Sequence, residues 1–164
     1  HRLRASGCVL LKLGLESGSQ RVLDAMDKGI RLELAERVFA ALHQAGIATY
    51  VYLLFGTPTE SLAEARTTMA FVQRHHAAIS FLNLAIFNMP ATSAEAQNLP
   101  GATFSAGDLS LYLDFVHPRG WDRRSIRTFL DREFKRQPEI AAILRRDPPF
   151  FTSNHASFFS SSFP

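Results

Sequence analysis

The sequence has a single cysteine, Cys8, among its 164 residues. One thiol cannot form an internal disulfide bond, and disulfide bonds are the usual mark of a chain that folds in an oxidising compartment. Nothing therefore argues for secretion, and we expect a cytoplasmic protein.

Long apolar runs are also missing. No run approaches the roughly 20 residues that a membrane-spanning helix needs, and the first residues do not form a secretory signal. An initiator methionine is absent too, since the sequence begins at His1, and the first predicted strand follows almost at once. We therefore expect a piece of a longer protein, with no membrane partner.

Acidic residues are scarce in the last part of the chain. The net charge is +3, and half of the lysines and arginines lie after residue 118, against one third of the acidic residues. Such a charge run is ordinarily the solvated face of helices. A basic surface also suits nucleic acid or an acidic partner, so both interpretations stay open at this point.

What is present is a regular alternation of strand and helix patterns. Nearly continuous apolar runs, rich in β-branched and aromatic residues, predict buried strands, and apolar residues at helical spacing predict helices between them. The predicted strands are 8–15, 47–55 and 79–87, and the predicted helices are 18–27, 31–45, 58–75, 106–116, 122–136 and one from Pro138. This order predicts an α/β fold with a parallel sheet and right-handed crossovers.

Two strand-to-helix turns carry the pattern of a capping box, in which Ser or Thr and a Glu or Gln three residues later cap a helix start. Ser17 with Gln20 predicts the start of the first helix, which Gly29 is predicted to end. Thr57 with Glu60 predicts the start of the third helix. Glu60 is accordingly interpreted as a structural residue.

Three ordered segments carry a further pattern. They are Gly7-Cys8, Leu13-Gly14-Leu15-Glu16-Ser17-Gly18-Ser19 and Val22-Leu23-Asp24-Ala25-Met26-Asp27-Lys28-Gly29; then Ala45-Gly46-Ile47, Phe55-Gly56-Thr57-Pro58-Thr59-Glu60 and Thr67; then Phe87-Asn88-Met89-Pro90-Ala91-Thr92. Together they resemble the fourth-strand, fifth-strand and post-sixth-strand motifs of the radical S-adenosylmethionine (radical SAM) superfamily, with Ala91 in place of a usual glycine. The similarity is closest to the Fe–S oxidoreductase subgroup that often carries a cobalamin-binding domain upstream.

The resemblance implies the C-terminal half of a barrel. Residues 1–100 would form a partial, or half, TIM-type barrel with parallel strands, about strands four to six, and residues 101–164 a helical C-terminal extension. Three strands leave two open sheet edges, which soluble proteins rarely tolerate bare. The expected partners are therefore the missing N-terminal half of the barrel or, across the open edges, a second copy of the chain.

The parent enzyme implied by the resemblance binds S-adenosylmethionine and a [4Fe–4S] cluster, and in this subgroup it can also bind cobalamin. It would cleave S-adenosylmethionine reductively to a 5′-deoxyadenosyl radical, and then carry out oxidoreduction or methyl or methylthio transfer. The family's three-cysteine loop is absent here, and a cluster usually needs three or four thiolates. We therefore expect no cofactor, no catalytic residue and no iron–sulfur absorbance in this chain alone.

The resemblance also assigns cofactor-binding positions. Glu16 and the adjacent Ser17 match the strand-four polar position that contacts S-adenosylmethionine, and Lys28 matches the basic position that reaches its methionine carboxylate. The alternatives are that Glu16 and Lys28 only complement the dipole of the helix between them, or pair with each other. No metal ligands are predicted, since His75 and His76 are adjacent on a helix and point apart.

The other assigned positions follow the next two strands. Gly56 lets the backbone approach a ligand or only serves the turn. Phe87 and Asn88 end the third strand, where the family often places backbone or apolar contacts to adenine, although a core phenylalanine is the commoner outcome. Tyr52 could face substrate from inside the barrel, or pack in the core.

Two other functions compete with this one. The chain could be a non-catalytic module that binds RNA or a protein through basic C-terminal helices, among them Arg123, Arg124 and Arg127, although nucleic acid is not the favoured partner. It could also be part of a (β/α)8 phosphate-binding enzyme. The lack of a glycine-rich phosphate loop weakens that last interpretation.

Overall fold

A three-stranded parallel sheet forms the centre of the computed structural model, which describes residues 1–98 and 111–147. The strands are β1 (Leu10–Glu16), β2 (Ala48–Phe55) and β3 (Phe81–Ile86), in the order β1-β2-β3. Both pairs are parallel, as the alternation of strands and helices predicted. The α/β class and the three strands are therefore confirmed, while curvature into part of a barrel stays a prediction.

Helices connect the strands and follow the last of them. They are α1 (Arg2–Ala5), α2 (Gln20–Ala25), α3 (Leu32–Gln44), α4 (Leu62–His75), α5 (Ala94–Asn98), α6 (Arg123–Arg132) and α7 (Pro138–Leu144), with 3₁₀ turns at His76–Ala78 and Phe134–Arg136. A short antiparallel pair, β4 (Met89–Pro90) and β5 (Tyr112–Leu113), lies between α4 and α6. None of the helices within the described ranges is long and apolar enough to cross a membrane.

The core joins the sheet to the C-terminal helices. Alternate strand residues point to one face, where Val51 and Phe55 of β2 are fully buried. The ring of Phe55 lies 6.1 Å from that of Phe129 in α6 and 5.5 Å from that of Phe134. Aromatic contacts of this kind add stability beyond the area they bury. The segment after residue 120 therefore packs on the sheet as part of one core.

The first predicted capping box, Ser17 with Gln20, is not formed at the start of α2. The helix begins at Gln20 after the N-cap Ser19, and no side chain caps it. The hydroxyl of Ser17 instead accepts a hydrogen bond from the Ser19 N–H at 3.1 Å and bonds to Thr68 in α4. Gln20 is bonded to the start of α3, where its Oε1 accepts from the Leu32 N–H at 2.9 Å. Ser17 and Gln20 therefore form hydrogen bonds with α4 and α3 and do not cap α2.

The end of α2 corrects the role of Gly29. Asp27 takes the left-handed conformation after the helix, with φ of 50°. The N–H groups of Asp27 and Lys28 donate to the carbonyls of Asp24 and Leu23, which is the Schellman arrangement that closes a helix. Gly29 lies two residues beyond this position, so it follows the helix end and does not form it.

The start of α4 corrects the second predicted capping box. The helix begins at Leu62, and Ser61 and Glu64 form the capping box. Glu60 precedes the helix, and its side chain forms hydrogen bonds in the protein interior instead of capping α4.

The short helix predicted at 106–116 is wrong where it can be compared, since Tyr112–Leu113 is a strand. Residues 106–110 lie outside the described residues.

Candidate functional site

The residues assigned to a cofactor meet at one edge of the sheet. Glu16 ends β1, Gly56 follows β2, and Phe87 with Asn88 follows β3. Since all three strands are parallel, their carboxyl ends share this edge, which is where α/β proteins usually bind ligands. The ends of β1 and β3 are separated laterally by about 10 Å across two strand spacings. Glu16 is level with Leu84 through Leu53, so Asn88 also lies four residues, roughly 13 Å, farther along the strand direction. The edge therefore has two polar corners, one at each outer strand.

The first corner is a carboxylate and an ammonium group. Lys28 Nζ lies 3.7 Å from Glu16 Oε1, with side chains 46% and 21% exposed. The alternative that these two residues pair with each other is thus confirmed. The register of β1 against β2 shifts between Gly14 and Glu16, and a Cβ on Gly14 would lie 3.2 Å from the carboxylate. The small residue leaves room for Glu16 to fold back over the strand end.

Glu16 occupies a costly backbone conformation. Its φ is 65°, and Asp27 is the other described non-glycine residue in this region. The left-handed region costs an L-residue roughly 1–2 kcal/mol, although aspartate tolerates it better than most. Such strain is commonly kept at functional sites, which is consistent with a ligand at this corner.

Glu16→Gly should therefore stabilise the fold. We expect the free energy of unfolding in urea to rise by about 0.5–1 kcal/mol, because the relief of strain exceeds the flexibility that glycine adds to the unfolded chain. Asp27→Gly is the matched control outside the corner and should give a smaller gain. A loss of stability in Glu16→Gly would show that the pair with Lys28 outweighs the strain.

Ser17 and Gly18 hold the turn against α4. Ser17 is fully buried, and its Oγ lies 3.2 Å from the hydroxyl of Thr68. The Gly18 N–H donates to the same hydroxyl at 2.9 Å. A Cβ on Gly18 would lie only 2.7 Å from Thr68 Cα and from Phe71 Cβ. The hydroxyl of Ser17 thus serves the turn, and its contact with a cofactor stays a prediction.

Gly56 turns the chain beneath α6. Its φ is 85°, and a Cβ there would collide with Ile126 Cδ1. Its N–H donates to Glu60 Oε2 at 2.5 Å. Only glycine combines this backbone angle with so close a contact. The space beside Gly56 is filled by α6, and its assignment as a cofactor position stays a prediction.

Glu60 is a buried acid, and its predicted role as a helix cap is wrong. The residue is fully buried, and its Oε2 accepts from the Gly56 N–H and, at 3.0 Å, from Trp121 Nε1. Burial raises the pKa of Glu60 to about 7, although both hydrogen bonds oppose the rise. Its Oε1 is buried without a hydrogen-bond partner among the described residues. With this pKa the carboxyl group of Glu60 is about half protonated near pH 7.

His117 adds a second link between the same turn and the C-terminal segment. Its Nε2 donates to the Thr57 carbonyl at 2.9 Å, while its Nδ1 accepts from the backbone N–H groups of Arg119 and Trp121. This pattern requires the neutral ring. Burial accordingly lowers the pKa of His117. Sequence spacing alone could not have found either link.

The second corner lies at the end of β3. Asn88 is exposed and Phe87 partly buried, with the Phe87 ring 6.0 Å from that of Phe115. Arg123, at the start of α6, donates from Nη1 to Asn88 Oδ1 and, at 3.3 Å, to the Phe87 carbonyl. A cation from the C-terminal segment thus lies at the corner where the sequence placed only Phe87 and Asn88.

A metal centre is not formed by the residues that the structure describes. No group of three or more His, Cys, Asp and Glu side chains within 1–98 and 111–147 could hold an ion. Cys8 precedes β1 and so lies at the opposite edge of the sheet, separated from Glu16 by the length of β1, about 20 Å at the rise of a strand. The chain therefore does not fit a [4Fe–4S] cluster, for which one distant thiol is insufficient.

Comparison with known proteins finds a relative that matches part of the chain. No family model matches the chain. Its sequence is 35% identical over 71 residues to the bacteriochlorophyllide d C-12(1)-methyltransferase of Chlorobaculum tepidum. The match covers 43% of this chain but only 16% of that enzyme. The chain thus spans about a sixth of the curated relative that it matches.

Proposed function

We propose that the chain is part of a radical SAM enzyme and that the carboxyl edge of its sheet is one wall of the S-adenosylmethionine site. The observation that carries this is the placement of two polar corners on one edge: Glu16 with Lys28 at β1, and Asn88 at β3. The parts of the three family-like motifs that follow a strand, at Glu16, Gly56 and Phe87, lie on this edge. The partial similarity to a methyltransferase supports the same superfamily.

The donors and acceptors suit the two ends of S-adenosylmethionine. The Lys28 ammonium would pair with the methionine carboxylate, and Glu16 would accept hydrogen bonds from the amino group or the ribose hydroxyls. At the other corner, Phe87 and Asn88 offer an apolar ring and a carboxamide to adenine. When bound, S-adenosylmethionine supplies the group that the parent enzyme transfers or activates.

The rest of the proposed parent lies outside this chain. Its cluster-binding cysteines would come from the N-terminal half of the barrel, which would pair with an outer edge of the sheet; within the described ranges no strand pairs with the outer edges of β1 and β3. A second copy of the chain could cover the same edges in its absence.

The similarity to a methyltransferase favours methyl transfer in the parent, with cobalamin as a cofactor that the subgroup uses. A cytoplasmic location is part of this proposal.

Binding of S-adenosylmethionine to the purified chain tests the proposal by titration calorimetry. The sequence alone predicted no cofactor in this chain, but the pair of polar corners leads us to expect one site per chain. Lys28→Ala should weaken binding at least tenfold because a charge-assisted contact is lost. Glu16→Gln should weaken it by a smaller factor. Arg37→Ala, an exposed cation on α3, is the matched control and should bind as the wild type does.

Two results would count against the proposal. The first is a wild-type chain that does not bind S-adenosylmethionine at all. The second is equal loss of binding in Lys28→Ala and in Arg37→Ala, which would indicate attraction to positive charge in general and no defined corner.

Binding of RNA by the basic helices is the second candidate. Arg124 and Arg132 line an open groove of about 470 Å³ on α6, with Trp121 and Phe129 among its apolar residues. Binding that weakens steeply with salt, and that Arg124→Glu with Arg127→Glu abolishes, would favour this function. Arg123 is engaged with Asn88, so it is less available to RNA than the sequence suggested.

A further inference from the structure

Arg123 is brought to the second corner by a well-anchored segment. Asp122 caps α6 by accepting from the Ser125 N–H at 2.7 Å. The adjacent Trp121 is bonded to the buried Glu60, and Ile126 packs into the space beside Gly56. The cap of α6 and two contacts with the turn after β2 thus determine where α6 begins. The guanidinium of Arg123 reaches the end of β3 as a consequence.

The contact of Arg123 with Asn88 orients a carboxamide. Asn88 Oδ1 accepts from Arg123 Nη1, and the Phe87 carbonyl accepts from the same nitrogen at 3.3 Å. A guanidinium has only donors, so it binds the oxygen of the amide and directs Nδ2 to the other side. Within the described part of the chain no acceptor is bonded to Nδ2. Its N–H groups are therefore available to an acceptor on a ligand.

We propose that Arg123 is a positioning residue for the nucleoside end of the ligand. By holding Asn88 Oδ1, it makes Nδ2 the donor to a ring nitrogen of a purine, which lies against the partly exposed Phe87 ring. This inference rests on the proposed function and adds to it a residue, Arg123, that lies outside the three motifs. The ligand class is an adenine nucleoside, whether free or as part of S-adenosylmethionine.

The Asn88 amide and the Phe87 ring at this corner favour a purine as the ligand. Adenine ring nitrogens are acceptors without a charge, which match a neutral amide donor, and its flat face matches an aromatic ring. The cation at Arg123 is engaged by two oxygens of the protein. It therefore acts through Asn88 and does not compete for the carboxylate of the ligand, which Lys28 would bind at the first corner.

Titration with both S-adenosylmethionine and adenosine tests this inference. Arg123→Ala should weaken both ligands by a similar factor, about tenfold, the effect of one lost directed hydrogen bond. Asn88→Ala should have the same effect, and the double variant should be no weaker than either single one because the two residues act as a unit. Arg123→Lys should recover part of the affinity. Arg127→Ala, an exposed arginine on the same helix, is the control.

The outcomes separate this inference from the proposed function. If Lys28→Ala weakens S-adenosylmethionine while Arg123→Ala changes neither ligand, the role of Arg123 is wrong and the proposed function stands. Additive losses in Arg123→Ala and Asn88→Ala would also overturn the role. If the wild type binds neither ligand, both proposals fail. An unfolding temperature for Arg123→Ala equal to that of the wild type, together with partial recovery in Arg123→Lys, shows that lost binding is not lost folding.

Discussion

Glu60→Ala should lower the free energy of unfolding by about 3 kcal/mol. The substitution leaves the Gly56 N–H and the Trp121 Nε1–H buried without an acceptor, and an unsatisfied buried donor costs roughly 1–3 kcal/mol. The removed side chain also leaves a void between the turn and α6. Urea unfolding at pH 6 measures the loss.

Glu33→Ala is the matched control for this prediction. Glu33 is an exposed acid in the first turn of α3, and its removal should cost only a few tenths of a kcal/mol. Equal stabilities of the Glu60 and Glu33 variants would mean that Glu60 does not hold the C-terminal segment on the sheet.

The pH dependence of stability should identify the same group. Burial raises the pKa of Glu60 to about 7 from its ordinary 4.5, so the folded state keeps a proton that the unfolded state loses. The contribution of Glu60 is then fully present below about pH 4.5 and falls as pH rises to 7, by about 3 kcal/mol in all at 1.36 kcal/mol per pKa unit.

Glu60→Gln isolates this contribution from other titrating groups. Glutamine does not titrate, and the neighbouring Glu64 and His117 are present in both proteins. The stability difference between wild type and variant should therefore shift by about 3 kcal/mol, in favour of the variant, between pH 4.5 and 8. A difference independent of pH would contradict the assigned pKa.

Gly18→Ala should be the second large loss, about 2–3 kcal/mol in urea unfolding. The added Cβ would lie 2.7 Å from Thr68 Cα and 2.7 Å from Phe71 Cβ. These atoms lie in the middle of α4, so relief of the clash requires the helix or the turn to move. Movement would also break the hydrogen bond from the Gly18 N–H to Thr68.

Gly120→Ala is the control for this substitution. Gly120 has φ of 64°, and nothing lies within 4 Å of a Cβ placed there. Its replacement should cost about 1 kcal/mol from backbone strain alone. A Gly18→Ala protein as stable as the wild type would show that the turn is not pressed against α4.

The sheet and its edge could be predicted because their signals are local. Apolar runs indicated the strands, and alternation with helices required the strands to be parallel. Parallel strands in turn bring Glu16, Gly56 and Asn88 to one edge wherever the intervening helices begin. Boundary errors of a few residues in the helices did not affect this conclusion.

The helix starts were mispredicted because their signals are ambiguous. Thr57 with Glu60 and Ser61 with Glu64 present almost the same pattern four residues apart, and the second one forms the capping box. Glu60 is instead bonded to Trp121, 61 residues later in the chain. The sequence around Glu60 contains no signal for a partner so distant in the chain.

The contribution of the C-terminal segment was missed for the same reason. Arg123 appeared in the sequence as one of many basic helix residues, and Asn88 lies 35 residues before it. The contact depends on where α6 begins, and that depends on the burial of Trp121 and Ile126. Packing that depends on several distant residues could not be predicted from spacing.

The coding sequence on the 5′ side of the His1 codon tests the central claim most directly. We predict an open reading frame with a Cys-x-x-x-Cys-x-x-Cys motif about 100 residues before His1, the length of three strand–helix units. That motif would supply the cluster ligands that the chain lacks and would follow the first strand of the same barrel. An in-frame stop codon upstream, with no such cysteines before His1, would contradict the assignment to a radical SAM enzyme.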